Sequence, residues 1–116
     1  MKSGMRNTGA QAEEQALSFL LCHGLKLEQR NYACRLGEID LILLDGKTLV
    51  FVEVRMRRSR AFGGAGESIT QRKRARLIAA ARHYLAGRRP LPPCRFDAVL
   101  IESAAAPVWI KDAFGE

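Results

Sequence analysis

The chain has 116 residues, a length that suits one domain and excludes two ordinary ones. Its hydrophobic fraction of 47% and charged fraction of 27% exclude a wholly disordered or fibrous protein. The formal net charge of +7 is high for this length and favours a polyanionic partner, with nucleic acid as the leading candidate. We therefore expect residues 1–116 to form a single domain that binds nucleic acid.

The lack of an apolar targeting segment and the pattern of cysteines both favour a cytoplasmic protein. No apolar run approaches the roughly 20 residues that span a bilayer, and "MKSGMRNTGAQAEEQ" has no apolar segment of signal-peptide type. The three cysteines are odd in number and form no C-x-x-C pair, which fits neither a disulfide framework nor a zinc site with local ligand spacing. We expect reduced thiols and no membrane partner.

The first predicted element is a helix. Thr8 and Gln11 resemble a capping box, and apolar residues recur at helical spacing until Gly24. On this helix Glu13 projects toward the apolar face, whereas Glu14 points to the more polar side. Glu13 is therefore the acid that requires a functional explanation.

Three strands are predicted next. Residues 25–37 indicate a short edge strand and a loop, and residues 37–55 indicate a hairpin rich in Val, Ile and Leu. Within the hairpin, Asp45-Gly46 is a strong signal for a two-residue turn. The hairpin is the most strand-like segment of the chain, yet outside its turn it carries three carboxylates, Glu38, Asp40 and Glu53.

The register of the hairpin decides which residues share a face. With Asp45-Gly46 as the turn, Asp40 lies opposite Phe51 and Glu38 opposite Glu53. Alternation places these acids and Arg55 on one face, at the end away from the turn. The predicted apolar face consists of Ile39, Leu41, Leu43, Val50, Val52 and Val54. Asp40 and Glu53 become diagonal neighbours, close enough for both carboxylates to reach one ion.

Crowded carboxylates repel each other unless something compensates them. A divalent cation such as Mg²⁺ or Mn²⁺ does so, and it also binds phosphate oxygens and activates water. Alternatively, Arg55, Arg57 and Arg58 neutralise the acids in an ordinary ion-pair network. The residue pattern leaves both interpretations open.

Basic residues continue after the hairpin. "RMRRSRAFGGAGES" has no burying periodicity and indicates a mobile basic loop, followed by a second helix from Ser68 or Thr70 to Gly87. Cations in the first turns of a helix oppose its macrodipole, whereas a bound phosphate would be attracted there. The candidate nucleic-acid contacts are Arg57, Arg58, Arg60, Arg72 and Lys73. The alternative is a solvated basic face.

Two last strands are predicted in "RFDAVLI" and "VWIK", separated by a turn of small residues. The element order is therefore αβββαββ. It predicts an α/β fold in which a mixed sheet, built on the hairpin, is flanked by the two helices.

Four motifs, "GEIDLI", "VFVEVR", "RFD" and "WIKDAF", resemble in order and spacing the YraN-like family of small bacterial proteins. The resemblance runs from "GAQAEEQA" to "WIKDAF" and covers nearly the whole chain. It implies a PD-(D/E)xK nuclease-like, restriction-endonuclease-like core similar to archaeal Holliday junction resolvases. It also allows a homodimer, as in those resolvases.

The resemblance assigns roles to individual residues. The two strand acids correspond to Asp40 and Glu53, and a resolvase-like acid on the first helix corresponds to Glu13. These three are the implied Mg²⁺ or Mn²⁺ ligands. Lys73 matches a basic position that contacts phosphate. Arg55 stands at the position of the usual catalytic Lys.

Arg55 is the departure from the pattern. Arginine is effectively always charged and is a poor general base, although it can orient water or stabilise developing negative charge. Glu38 has no fixed role in the pattern and is expected to support Asp40 or a second ion. Three functions remain open. The first is a metal-dependent endonuclease for structured or branched DNA, with DNA favoured over RNA. The others are a non-catalytic module for nucleic-acid binding or assembly and a scaffold in which Glu13, Asp40 and Glu53 form internal ion pairs.

Overall fold

The computed structural model of the protein describes residues 9–56, 70–102 and 105–115. The elements are α1 (Gly9–Cys22), β1 (Lys26–Cys34), β2 (Gly37–Asp45), β3 (Thr48–Met56), α2 (Gln71–Leu85), β4 (Cys94–Ile101) and β5 (Val108–Phe114). This confirms the predicted order αβββαββ. Neither helix in these ranges has the length and apolar character needed to cross a membrane.

The strands form one five-stranded sheet in the order β1-β2-β3-β4-β5. The pairs β1/β2, β2/β3 and β4/β5 are antiparallel, whereas β3 and β4 are parallel. A parallel pair requires a crossover connection, and α2 lies within the one between β3 and β4. The sheet is therefore mixed, as predicted, and β1 is an edge strand.

The core consists of two layers, one on each face of the sheet. The α1 side packs Ala12, Ala16, Leu17, Leu20, Leu25, Leu41, Leu43, Val50, Val52, Val99 and Ile101. The α2 side packs Ile39, Ile42, Leu49, Phe51, Leu77, Ala80, Ala81, Phe96, Ala98 and Phe114. The half of the hairpin near the turn is thus buried on both faces, which explains its nearly continuous run of apolar residues.

Both helices end where the sequence predicts. Gly24 and Gly87 follow α1 and α2 with φ of 93° and 86°, a left-handed conformation that glycine adopts without strain. Thr70 caps α2, and its hydroxyl oxygen accepts a hydrogen bond from the backbone N–H of Lys73 at 3.1 Å. Of the two predicted starts, Thr70 is correct. Thr8, the predicted cap of α1, lies outside the described residues.

The predicted turn of the hairpin is shifted. Asp45 pairs with Thr48, so the two loop residues are Gly46 and Lys47. Gly46 has a φ of 62°, as expected for glycine at the first position of a two-residue turn.

This turn moves the register by two residues. Ile42, not Asp40, lies opposite Phe51, and the predicted pairing of Glu38 with Glu53 is also wrong. A shift of two residues preserves the alternation of faces, so Asp40 and Glu53 still share one face.

Ile39 is a second correction, because it packs in the α2-side cluster and not on the predicted apolar face. The register of the β1/β2 ladder shifts between Leu27 and Gln29, and Asn31, which precedes the partner of Ile39 on β1, has a φ of 51°. The exception therefore lies next to one of the candidate acids.

Candidate functional site

The sheet forks at the two strand acids. The β2/β3 ladder ends at the pair Leu41 and Val52, beyond which β2 pairs only with β1 and β3 only with β4. Asp40 and Glu53 are the next residues on the two diverging strands. Asp40 Oδ2 accepts a hydrogen bond from the backbone N–H of Val54 at 2.8 Å. A side chain thus replaces the missing strand partner and fixes one carboxylate in the fork.

The two carboxyl groups interact directly. Burial raises the pKa of Asp40, an effect opposed by the Val54 N–H and reinforced by the charge of Glu13. Burial, followed by the charge of Asp40, raises the pKa of Glu53 to about 7. Because two adjacent carboxylates cannot both ionise at low cost, the pair retains a proton well above the usual carboxyl range.

Two cations contact Glu53. Lys73 Nζ lies 2.8 Å from Glu53 Oε2, and Arg55 Nη1 lies 3.6 Å from the same oxygen. The shorter contact comes from the first turns of α2, although the resemblance places the cation of this site on β3. Lys73 is therefore the closer counter-ion of the buried carboxylate.

The carboxylates are accessible from both sides of the fork. A cavity of about 260 Å³ faces α2 and is lined by Glu38, Asp40, Glu53, Thr70, Arg72, Lys73, Arg76 and Leu77. A second, of about 320 Å³, faces α1 and is lined by Gly9, Ala12, Glu13, Asp40, Glu53, Val54, Arg55, Met56 and Lys73. Asp40, Glu53 and Lys73 line both cavities.

The structure brings most of the sequence-predicted residues to this fork. Glu13 and Arg55 line the cavity beside α1, and Glu38 and Arg72 line the cavity beside α2. The neighbouring acid on α1, Glu14, instead forms an exposed ion pair with Arg30, as its polar position suggested. Arg57, Arg58 and Arg60 lie outside the described residues.

The donor set suits a magnesium-like ion only in part. Over residues 9–56, 70–102 and 105–115, no three His, Cys, Asp or Glu side chains are arranged to hold a metal ion together. Asp40 and Glu53 supply two hard oxygen donors, and Mg²⁺ is typically held by one or two carboxylates together with water and substrate phosphates. The pair therefore fits such an ion, whereas Glu13 is not preformed as a third ligand.

One important residue received no role from the sequence. A Cβ on Gly37 would lie 2.7 Å from the backbone oxygen of Arg76, so the start of β2 passes against the backbone of α2. This close approach holds the basic end of α2 over the fork. A glycine inside a strand pattern is a known signal for such an approach.

The motifs "RFD" and "WIKDAF" meet away from the fork. Asp97 is fully buried and accepts hydrogen bonds from Arg95 Nε at 3.0 Å, Trp109 Nε1 at 2.9 Å and the Asp112 backbone N–H at 2.9 Å. Arg95 also pairs with Asp45 Oδ2 at 2.9 Å. These motifs therefore join strands and line neither cavity at the fork. The indole N–H of a partly buried Trp109 was the available signal, because such a group requires an acceptor.

A mixed sheet that forks beside two carboxylates, with one helix on each face, has the architecture of a PD-(D/E)xK nuclease-like domain. The chain belongs to the uncharacterised protein family UPF0102, the YraN-like family, whose model matches residues 12–101.

Relatives from several bacteria match almost end to end. The chain is 56% identical to a UPF0102 protein of Nitrosospira multiformis, over 95% of this chain and 94% of the relative. It is 54% identical to one of Nitrosomonas eutropha, over 98% of each. It is 50% identical to one of Psychromonas ingrahamii, over 93% of this chain and 89% of the relative. These names state a family and no activity, so function must be argued from the site.

Proposed function

We propose that the protein binds nucleic acid and hydrolyses phosphodiester bonds in structured or branched DNA, with Mg²⁺ or Mn²⁺ held by Asp40 and Glu53. The observation that carries the proposal is the carboxyl pair in the strand fork. Glu53 is only 4% exposed, its pKa is raised to about 7, and both acids open into cavities lined by cations. Such perturbed carboxyls in a cleft are typical of functional sites.

Each residue of the site has a role that follows from its position at the fork. The Val54 N–H orients the Asp40 carboxylate, and Glu53 lies beside it to complete the protein's share of the ion's ligands. A bound divalent ion would polarise a phosphate oxygen and supply activated water. Glu13 orients water from the α1 side or adds a ligand, and Arg55 stabilises the negative charge that develops on the reacting phosphate.

The basic residues around the site support a nucleic-acid substrate. Arg72, Lys73 and Arg76 line the α2-side cavity together with the cap residue Thr70. With a net charge of +7, phosphate contacts there would make binding strongly dependent on salt. The choice of DNA over RNA and a homodimeric state follow from the resolvase resemblance and stay predictions.

The proposal places the protein in the cytoplasm. The support is the state of Cys22, Cys34 and Cys94, all of which are free in the structure. Free thiols suit a reducing compartment.

Cleavage assays test the proposal directly. We expect purified protein to cleave a four-way DNA junction with Mg²⁺ or Mn²⁺ and to lose cleavage in chelator. Asp40→Asn should slow cleavage about hundredfold or more, because losing an ion ligand removes several kcal/mol of charge stabilisation in the transition state. Time courses on denaturing gels would measure the rates.

Matched variants separate the site from general charge effects. Asp112→Asn removes an exposed carboxylate on β5 and should cleave like the wild type, and Glu14→Gln is the corresponding control for Glu13→Gln. If four-way junction, duplex and single-stranded DNA all stayed uncleaved at every metal concentration, the proposed hydrolysis would be refuted. Equal rates for Asp40→Asn and the wild type would also refute it.

A second candidate is a non-catalytic module that binds nucleic acid or supports assembly. It is favoured by Arg55 at the expected lysine position and by Lys73, which already neutralises Glu53. It predicts salt-sensitive binding that is indifferent to metal and is weakened by Lys73→Ala or Arg60→Ala. Binding isotherms at several salt concentrations, with and without Mg²⁺, distinguish it from the enzyme.

A further inference from the structure

Lys73 and a metal ion bound to Glu53 would compete for the same carboxylate oxygen. Lys73 Nζ is 2.8 Å from Glu53 Oε2, within hydrogen-bond distance of a carboxylate that is almost completely buried. A divalent ion about 2 Å from the same oxygen would stand within about 5 Å of the ammonium, and the two cations would repel strongly in this poorly solvated fork. The free protein is therefore arranged to hold Lys73, and not a metal ion, on Glu53.

The same lysine has a second place to go. Its side chain is 42% exposed and has a flexible four-carbon stem, and it lines the α2-side cavity with Thr70, Arg72 and Arg76. A phosphate attracted by these arginines and by the start of α2 would offer the ammonium a new partner. The phosphate would then replace Glu53 as the counter-ion of Lys73.

The ion and the phosphate also complete each other. The described residues supply two carboxylates and no third preformed acidic ligand, so the remaining ligands of a magnesium-like ion must be water and phosphate oxygens. A phosphate therefore supplies oxygen ligands to the ion and at the same time draws the Lys73 ammonium, which competes with the ion, away from Glu53. Each ligand would favour the binding of the other, and the coupling must be reciprocal.

We propose that Lys73 exchanges partners on binding: it holds Glu53 in the free protein and moves to a phosphate of the nucleic acid, so that the metal ion and the nucleic acid bind together. The inference rests on the proposed metal site at Asp40 and Glu53 and adds to it a device that suppresses metal binding in the absence of substrate.

Calorimetric titration with MnCl₂ tests the exchange, at about pH 8.5, above the pKa of the Glu53 carboxyl, so that protons compete little. Without DNA, Lys73→Met should bind Mn²⁺ about tenfold more tightly than the wild type, because the competing ammonium is gone. With a four-way DNA junction present, wild-type affinity for Mn²⁺ should rise, and this gain should be smaller in Lys73→Met. Denaturing gels would confirm that the junction stays intact during each titration.

Arg72→Met is the matched control, since Arg72 lines the same cavity and makes no described contact with Glu53. It loses the same charge but should tighten Mn²⁺ binding much less. Circular dichroism would verify that both variants are folded. Equal Mn²⁺ affinities for Lys73→Met and Arg72→Met would overturn the exchange and leave the proposed hydrolysis standing. Absence of Mn²⁺ binding in every protein, with and without junction, would overturn both.

Discussion

Glu53 is a buried acid whose surroundings act on it in opposite directions. Burial and the nearby charge of Asp40 favour its neutral form, whereas the ammonium of Lys73 favours its charged form. The first two effects dominate, so its pKa lies near 7 in the folded protein, against an ordinary value of 4.5. Folding therefore becomes less favourable as Glu53 ionises.

The sign of the pH dependence follows from these two values. Below about pH 4.5 Glu53 is protonated in both the folded and the unfolded chain and costs nothing. As the pH rises from there through about 7, the unfolded chain releases a proton that the folded protein retains, and stability is lost. Glu53→Gln lacks this titration, so its stability relative to the wild type should increase on the order of 3 kcal/mol between the two limits. Urea unfolding in chelator, at a series of pH values, measures this.

Glu14→Gln is the control for this experiment, because Glu14 is exposed. Its stability relative to the wild type should change little over the same pH range. A difference between Glu53→Gln and the wild type that is constant with pH would contradict the raised pKa.

At the scale of the elements, the distance between β2 and α2 positions the site. The backbone of α2 passes so close to Gly37 that a side chain there would meet the carbonyl group of Arg76. Since backbone atoms cannot rotate away as a flexible side chain can, relief would require the helix to move. The same helix places Lys73 beside Glu53. The Lys73–Glu53 ion pair therefore depends on the short distance between α2 and β2 that Gly37 permits.

Gly37→Ala should therefore destabilise the fold by about 1–3 kcal/mol, the usual cost of overpacking. It should also weaken junction binding as α2 moves. Gly9→Ala is the matched control, because a Cβ at the first residue of α1 has no heavy atom within 4 Å. Urea unfolding and binding isotherms would test both variants. If the two alanine variants were equally stable, the close approach would not constrain the fold.

At the scale of the whole molecule, one buried carboxylate connects the hairpin to the last two strands. Asp97 on β4 binds Arg95, Trp109 and the backbone of Asp112, and Arg95 continues to Asp45 beside the hairpin turn. Asp112 has a φ of 52°, a conformation that directs its N–H to this carboxylate. A buried charge with this many donors is costly to disrupt, because each donor would be left without an acceptor.

Asp97→Ala should lower the free energy of unfolding by about 3–5 kcal/mol. Asp112→Asn changes an exposed carboxylate of the same strand pair, leaves the backbone N–H in place and should alter stability by less than about 0.5 kcal/mol. Thermal and urea unfolding would compare them. A small effect of Asp97→Ala would mean that the network contributes little to holding β5.

Much of the fold could be predicted because it depends on local chemistry. Period-two alternation marked the strands, helical spacing and glycines marked the helices, and Thr70 was one of two predicted caps. The alternation of side chains along the strands was enough to place Asp40 and Glu53 on one face. That placement stayed correct although the predicted register was wrong by two residues. The family motifs singled out Asp40 and Glu53 as candidate metal ligands, because periodicity alone cannot distinguish a metal site from an ion-pair network.

The sequence by itself thus determined the order of elements, their approximate bounds and the shared face of Asp40 and Glu53, because these follow from neighbouring residues and their periodicity. Only the tertiary structure decided that the turn is Gly46-Lys47, that Ile39 faces α2 and that Lys73, twenty residues beyond Glu53 along the chain, is its closer counter-ion. The last of these outcomes depends on how α2 crosses from β3 to the parallel strand β4 and how closely it packs on Gly37. Such long-range packing leaves no periodic trace in the sequence.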